Sequence, residues 1–502
     1  MAAFRPDVLP PTAGGFENRI MYEVFIRSFY DTNKDGIGDI NGLASRMGYL
    51  RELGVEGLWL MPISPSPTYH KYDVTDYYDV DSVYGTLKDF KNFVELAHSL
   101  KMKVVIDLVL NHCSNLHPWF LDAISSPKAK YRDYFVWSDP DKIKSEPEHW
   151  YFPEDASGKK MDGQKFYGFF WSGMPDLNYD NPKVREEMKK VGKFWLSEIG
   201  VDGFRLDAAQ HVYPTGQEVK NHLWWQEFRK SMEEVKPDFF MVGEVVNSNK
   251  NIAPYLKKGL HAAFNFDLAR EINTTVITGV DSGIVSRLTA VRALYRQIAP
   301  GFIDATFITN HDQDRIMSNV KHDVNKAKMA AALLFTLPGS PYIYYGEEIG
   351  MLGQKPDEMI REPFIWTASE NSAGQTRWEV PQFSSAKTIV PLNLQQEDSS
   401  SIYHFYKKFI AFRRNSPALS GQGIQPVKSS DPHLLIFIRS DKSGNSVLVV
   451  HNLSDKVGST TVASIAIGEE LFSTGKISCE KGKITCAPYS TAIFELHRME
   501  KK

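Results

Sequence analysis

The run Gly203-Phe204-Arg205-Leu206-Asp207-Ala208-Ala209-Gln210-His211 sets an arginine two positions before an aspartate on an apolar, strand-like segment. Side chains alternate along a strand, so Arg205 and Asp207 share a face. A guanidinium that close holds a carboxylate ionised at neutral pH. An ionised, oriented aspartate is what a covalent nucleophile needs, and carboxylates fill that role in glycoside cleavage. A buried ion pair at a strand end explains the same segment equally well. Two further carboxylates bear on the choice: Glu244 in Gly243-Glu244 and Asp312 in Asn310-His311-Asp312, each closing an apolar segment.

The elements that must position these groups are short apolar strands alternating with amphipathic helices. Segments 20–29, 57–61, 104–110, 203–207, 239–245, 262–266, 305–309 and 341–345 read as strands rich in apolar, β-branched or aromatic residues. Between them lie patterns such as Leu87, Phe90, Phe93, Val94, Ala97 and Leu100, the apolar stripe of a helix. Strands alternating with helices imply parallel βαβ units, and eight of them imply an α/β fold of the (β/α)8 TIM-barrel type. A doubly wound sheet is the alternative architecture. In a barrel the C-terminal strand ends carry the chemistry, and Asp207, Glu244 and Asp312 would then come from three strands at one rim. The third strand ends Asp107-Leu108-Val109-Leu110-Asn111-His112 and adds His112 to that set.

The rhythm breaks twice. Between the third and fourth strands lies a long stretch dense in aromatics, proline, glycine and charge, including His149-Trp150-Tyr151-Phe152 and Phe166-Tyr167-Gly168-Phe169-Phe170-Trp171. So long a structureless loop is improbable inside a compact domain, so a small inserted domain is expected at 113–173. After the helix expected at 402–414, short strands at 434–438, 447–450 and 492–496 suggest a C-terminal antiparallel β-sandwich over 421–502. The barrel then occupies 1–112 and 174–420.

Composition narrows the partners. The 502 residues are too many for one core, and 42% hydrophobic with 24% charged residues sits in the globular range. A formal net charge of −3 argues against nucleic acid or an anionic membrane as partner. No apolar run reaches the length of a membrane span. The start, Met1-Ala2-Ala3-Phe4-Arg5-Pro6, lacks the apolar stretch of a signal peptide, so the compartment is cytoplasmic unless a leader has been removed. A monomer is expected. Three cysteines cannot make a disulfide framework. Cys479 and Cys486 flank a hairpin turn at Lys481-Gly482 that would not set them opposite each other, so free thiols are expected. Cys113 follows His112 with no second ligand at zinc spacing. Aromatic residues make up 12% of the chain, and those not in the core would suit the C–H faces of sugars.

The stretches around His112, Asp207, Glu244 and Asp312 resemble the four best-known sequence regions of the α-amylase superfamily, glycoside hydrolase family 13. Met174-Pro175-Asp176-Leu177-Asn178 and Gly339-Ser340-Pro341-Tyr342-Ile343-Tyr344-Tyr345-Gly346-Glu347-Glu348 extend the resemblance over nearly the whole chain. It implies that Asp207 is the nucleophile and Glu244 the acid that protonates the leaving oxygen and then the base that activates water. The acid needs a raised pKa, which neighbouring carboxylates and a desolvated cleft would supply. Retaining enzymes hold these two carboxyls about 5 Å apart. Asp312 resembles the third family carboxylate, which binds hydroxyls of the distorted sugar. His112 and His311 would bind the same sugar, Arg205 would hold Asp207, and Tyr72, in His70-Lys71-Tyr72-Asp73, resembles the family's stacking aromatic.

The segment Asp31-Thr32-Asn33-Lys34-Asp35-Gly36-Ile37-Gly38-Asp39 places oxygen ligands at alternate positions, with Gly36 where an EF-hand loop also turns sharply. Position twelve would be Gly42 rather than Glu, so it is not an EF-hand. It resembles the calcium loop after the first barrel strand in the oligo-1,6-glucosidase branch, which implies Ca2+ held by Asp31, Asn33, Asp35, the carbonyl of Ile37, and Asp39. A solvated acidic turn is the plain alternative. A second calcium, seen in many α-amylases, would use Asn111 and the carbonyl of His211, but Asn178 stands where those enzymes often have Asp.

Two departures within the family bear on substrate. Ala208 follows the nucleophile where α-1,6-preferring relatives usually carry Val. Tyr69 stands where exo-acting glucosidases place an Asp that grips the non-reducing end. Both favour an α-amylase over an exo-acting α-glucosidase or an oligo-1,6-glucosidase. Neopullulanases, which share the Met-Pro-Asp-Leu-Asn signature, usually carry an extra N-terminal domain, for which a first strand near Ile20 leaves no room. The expected substrate is therefore an α-glucan such as starch, or a maltodextrin or maltooligosaccharide, with transglycosylation as a side reaction. Transporter-associated members of the fold have lost catalytic carboxylates, whereas this chain keeps Asp207, Glu244 and Asp312.

Overall fold

The structure is a computed structural model and describes residues 15–155, 157–369, 371–462 and 465–496. Eight parallel strands close a barrel in chain order: β1 (Met21–Val24), β2 (Gly57–Leu60), β3 (Lys103–Leu108), β4 (Gly203–Leu206), β5 (Phe240–Gly243), β6 (Ala262–Phe264), β7 (Ile303–Phe307) and β8 (Ser340–Tyr344). Nearly every residue in them is buried. Parallel strands are covered on both faces, which is why they read as unbroken apolar runs rather than as alternation. The first strand is shorter than the segment 20–29 suggested: it ends at Val24, and Ile26–Phe29 is a helical turn. A short apolar run does not distinguish the two by periodicity alone.

The chain forms two compact units, one made of the residues up to Leu58 with those from Phe264 onward, the other spanning Trp59–Ala263. In the second unit the helix Leu87–Ser99 starts at a capping box, where the Thr86 hydroxyl accepts from the Asp89 N–H and the Asp89 carboxylate accepts from Thr86. Phe90, Phe93, Val94 and Ala97 form its buried face. The stretch between β3 and β4 contains a small antiparallel sheet whose central strand, Lys165–Tyr167, pairs with Trp137–Ser138 and Trp150–Tyr151. Its core is aromatic. The Phe120 ring meets Phe135 edge-on at 5.0 Å and Phe166 at 4.8 Å, so much of the aromatic density there serves packing.

In the first unit the C-terminal strands are β9 (Gly423–Val427), β10 (Leu434–Ser440), β11 (Ser446–Asn452), β12 (Gly458–Thr461), β13 (Ile467–Ser473), β14 (Ile477–Glu480), β15 (Lys483–Cys486) and β16 (Thr491–Leu496). They form a five-stranded sheet, β9-β10-β11-β16-β13, and a three-stranded one, β12-β15-β14. Leu434, Ile436, Leu448, Val450 and Phe494 of the larger sheet share a core with Ile484 and Cys486 of the smaller. The β14–β15 hairpin turns at Lys481-Gly482, both at positive φ, and pairs Cys479 with Ile484 and Ile477 with Cys486. The two thiols are therefore not opposite each other, and both are free, as is Cys113. Among the described residues no helix is long and apolar enough to cross a membrane.

Candidate active site

In the second unit the site grows from the register of two neighbouring strands. Asp107 on β3 and Arg205 on β4 are direct partners across the parallel ladder. Residues opposite each other across a ladder point to the same face, so the pairing brings carboxylate and guanidinium together. Arg205 Nη1 donates to Asp107 Oδ1 at 2.8 Å and Oδ2 at 2.9 Å, and to Asp207 Oδ1 at 2.7 Å. Its Nη2 donates to Glu244 Oε2 at 2.6 Å. One buried guanidinium thus holds three carboxylates, with Asp207 and Glu244 on its two terminal nitrogens. Burial alone would discharge it; the carboxylates of Asp107, Glu244 and Asp207, with Tyr72, hold it well above its ordinary value. The planar fork of arginine makes such sharing possible, which a lysine ammonium cannot reproduce.

The turn after β4 reinforces this arrangement. Ala208 has φ +47°, a left-handed conformation uncommon for a residue with a side chain. Its N–H donates to Glu244 Oε2 at 3.3 Å. A β-branched side chain at that φ would cost more still, so Ala208 suits the turn as well as the substrate class inferred from it.

Tyr72 and His112 belong to the same unit. The Tyr72 hydroxyl donates to Asp107 Oδ2 at 3.1 Å. The buried His112 ring has one nitrogen 3.1 Å from the Tyr72 carbonyl and the other 3.2 Å from the Asn111 amide, and burial pushes its pKa down to about 4. It is neutral at pH 7. The loop carrying Tyr72 is pinned by a buried ion pair, Lys71 Nζ to Asp81 Oδ2 at 2.6 Å.

In the first unit the residues after β7 form a second ionic cluster. His311 bridges two acids, with Nδ1 2.6 Å from Glu23 Oε1 and Nε2 3.1 Å from Asp312 Oδ2. Burial opposes its charge, but Asp312 and Glu23 outweigh it and raise its pKa to about 10, so the ring is an imidazolium at pH 7. Arg361 donates from Nη2 to Asp312 Oδ1 at 2.9 Å and from Nε to the His311 carbonyl at 2.9 Å. Asp312 is therefore held by two cations, His311 and Arg361, with its side chain 40% exposed.

The loop at 31–39 has the shape its glycine promised. Gly36 has φ +90°. Asp31 accepts from the N–H groups of Lys34 and Gly36 at 2.6 and 2.8 Å, and Asp39 accepts from the Thr32 hydroxyl and N–H, both at 2.7 Å. The loop is tied down where Asp31 N–H meets the Gly374 carbonyl and Arg377 N–H the Gly36 carbonyl. Hard oxygen donors in a turn of this kind suit Ca2+, although among the described residues no three His, Cys, Asp or Glu side chains are gathered closely enough to enclose an ion. For the second calcium considered above, Asn178 turns elsewhere, donating to the Asp133 carbonyl and accepting from Asp180 N–H.

Three residues of these clusters carried no assignment from sequence. Asp107 was visible only as the first residue of a matched stretch. Glu23, a carboxylate inside an otherwise apolar strand, was a signal that could have been used. Arg361 had none.

A model of the α-amylase catalytic domain matches residues 23–422, and one of the C-terminal domain of the α-amylase SusG matches 434–493. The chain belongs to the α-amylase family. It is 44% identical to α-amylase 3 of Dictyoglomus thermophilum, over 96% of this chain and 94% of that protein. It is 36% identical to a 4-α-glucanotransferase of Thermotoga neapolitana (87% and 96%), and 30% identical to an oligo-1,6-glucosidase of Parageobacillus thermoglucosidasius (88% and 91%). Among solved structures, the α-amylase from H. orenii superposes with a TM-score of 0.86 at 40% identity, covering 96% of this chain and all of that one. This α-amylase family member is thus a carbohydrate-acting enzyme of glycoside hydrolase family 13.

Proposed function

We propose that this enzyme is a retaining α-amylase that cleaves α-1,4-glucosidic bonds of starch, maltodextrins or maltooligosaccharides. The observation that carries the reading is the single buried guanidinium binding Asp207 and Glu244 on its two terminal nitrogens. Sharing one fork suits the short separation that a double displacement needs. In the first step an Asp207 oxygen attacks the anomeric carbon, the bond to the departing sugar breaks, and the Glu244 proton goes to the leaving oxygen. In the second, Glu244 takes a proton from water, which attacks the same carbon and releases Asp207. Arg205 favours the ionised form of each carboxylate, which suits Asp207 as nucleophile and Glu244 as base. It works against the protonated Glu244 that the first step requires, so the raised pKa of the acid would have to come from the neighbouring carboxylates of Asp207 and Asp107. Three carboxylates around one cation also favour the positive charge that develops on the sugar in the transition state. In the second unit Tyr72 and His112 contact the reacting sugar; in the first, Asp312, fixed by His311 and Arg361, supplies a carboxylate for glucan hydroxyls. The glucanotransferase relative favours a second outcome for the same intermediate, attack by a sugar hydroxyl instead of water.

A time course on maltoheptaose, isomaltose and pullulan tests the bond and the mode of attack. Maltoheptaose is expected to give a mixture of shorter maltooligosaccharides from the first minutes, with longer transfer products at high substrate concentration, and isomaltose to remain intact. Glucose as the sole early product from maltoheptaose would sink the amylase reading in favour of an exo-acting glucosidase.

We further propose that Asp31, Asn33, Asp35, Asp39 and the Ile37 carbonyl hold a structural calcium, which would neutralise the loop's carboxylates. An ion bound only by the folded state must stabilise it. The melting temperature is therefore expected to fall on chelation and to recover with added calcium in a concentration-dependent way. An unchanged value after chelation counts against the site.

A further inference from the structure

Among the described residues only two aromatic side chains are largely exposed, and they are consecutive: Phe170 at 46% and Trp171 at 47%. They follow a run in which Phe166 and Tyr167 are buried. Contiguous exposed apolar side chains are the kind of surface that marks a ligand-binding groove. Their placement is specific. Phe170 lies edge-on to His112 at 5.2 Å and to His211 at 6.3 Å, the histidines that follow β3 and β4. Behind it, Phe169 is stacked between His149 at 4.9 Å and His211 at 3.8 Å. The Phe170 ring is thus wedged against the strand ends that carry the candidate active site, with much of its surface uncovered.

Trp171 is held by a different device. A Cβ at Gly173 would fall 2.2 Å from the indole, so only glycine lets the ring lie against the chain there. The turn beneath is pinned by Met174 N–H to the Trp171 carbonyl at 3.0 Å and by Asn115 N–H to the Gly173 carbonyl at 2.9 Å. The neighbouring Leu116 is itself 52% exposed. Preorganised rings lose little freedom when a ligand covers them.

We propose that Phe170 and Trp171 form a stacking platform for an outlying glucosyl unit of a chain substrate, and so set chain-length preference. The proposal rests on the glucan-hydrolase reading above. The apolar C–H face of a glucosyl ring is the chemistry such a platform takes, and its position beside His112 makes it continuous with the site that would hold the reacting sugar.

The test compares kcat/KM on maltotriose and on maltoheptaose for the unaltered enzyme, Phe170→Ala, Trp171→Ala and Gly173→Ala. Loss of one stacked ring is expected to lower kcat/KM on maltoheptaose by about three- to tenfold, to lower it less on maltotriose, and to shift the product distribution. Trp171→Phe should recover most of the loss, and Gly173→Ala should mimic Trp171→Ala. Equal proportional losses on the two substrates, or no loss on either, overturn the platform. If Phe170→Ala does not fold, the exposed Trp171 carries the comparison alone. Failure of the unaltered enzyme to hydrolyse either substrate would instead overturn the hydrolase reading.

Discussion

Asp207→Asn is expected to abolish hydrolysis, with kcat on maltoheptaose falling on the order of 10^4-fold or more, because an amide does not form the glycosyl-enzyme. The protein should remain folded. Asparagine keeps the shape of the side chain, and Arg205 retains Asp107 and Glu244 as ionic partners. A variant with unchanged turnover on maltoheptaose would remove Asp207 from the mechanism. Circular dichroism and thermal melting on the same preparation separate lost chemistry from lost structure.

Arg205→Leu is expected to have the largest effect on stability. The guanidinium and Asp107 are almost completely buried, and Asp207 is nearly so. Removing one partner of a buried ionic group leaves uncompensated charge and costs about 3–5 kcal/mol. Here a single deletion strips the cation from three carboxylates, so the cost should lie at the upper end of that range. Arg205→Lys should recover only part of it, since one ammonium cannot serve Asp107, Asp207 and Glu244 with the same geometry. Denaturant unfolding measures the change. A loss smaller than about 1 kcal/mol would mean that the cluster relaxes by taking up protons or water, and that Arg205 is not its keystone.

Much of the architecture was legible because it rests on local periodicity. The barrel strands appear as apolar runs, and seven of them lie inside the segments expected or within two residues of them. The eighth, β1, ends sooner than its segment because Phe25, Ile26 and Phe29 are apolar in either conformation, with Arg27 and Ser28 marking the helical turn between them. The hairpin at Lys481-Gly482 followed from turn chemistry, which also separated the two cysteines. At the site, the spacing of Arg205 and Asp207 was enough to put them on one face, since alternation along a strand needs no tertiary information.

The rest depended on partners far away in the chain. Asp107 meets Arg205 across 98 residues because parallel pairing sets β3 against β4 in one register. Glu23 meets His311 across 288 residues, and Arg361 reaches Asp312 across 49. Register and approach of this kind arise from packing of whole elements, which a residue's neighbours in sequence do not specify. The aromatic run 166–171 shows the same division. Its composition announced rings near a sugar site, yet Phe166 and Tyr167 went to the core while Phe170 and Trp171 stayed in solvent. Sequence by itself determined the residue types, their alternation and the family. Tertiary structure decided which carboxylates share one cation and which rings are left for a ligand, because burial and charge pairing are properties of assembled surfaces.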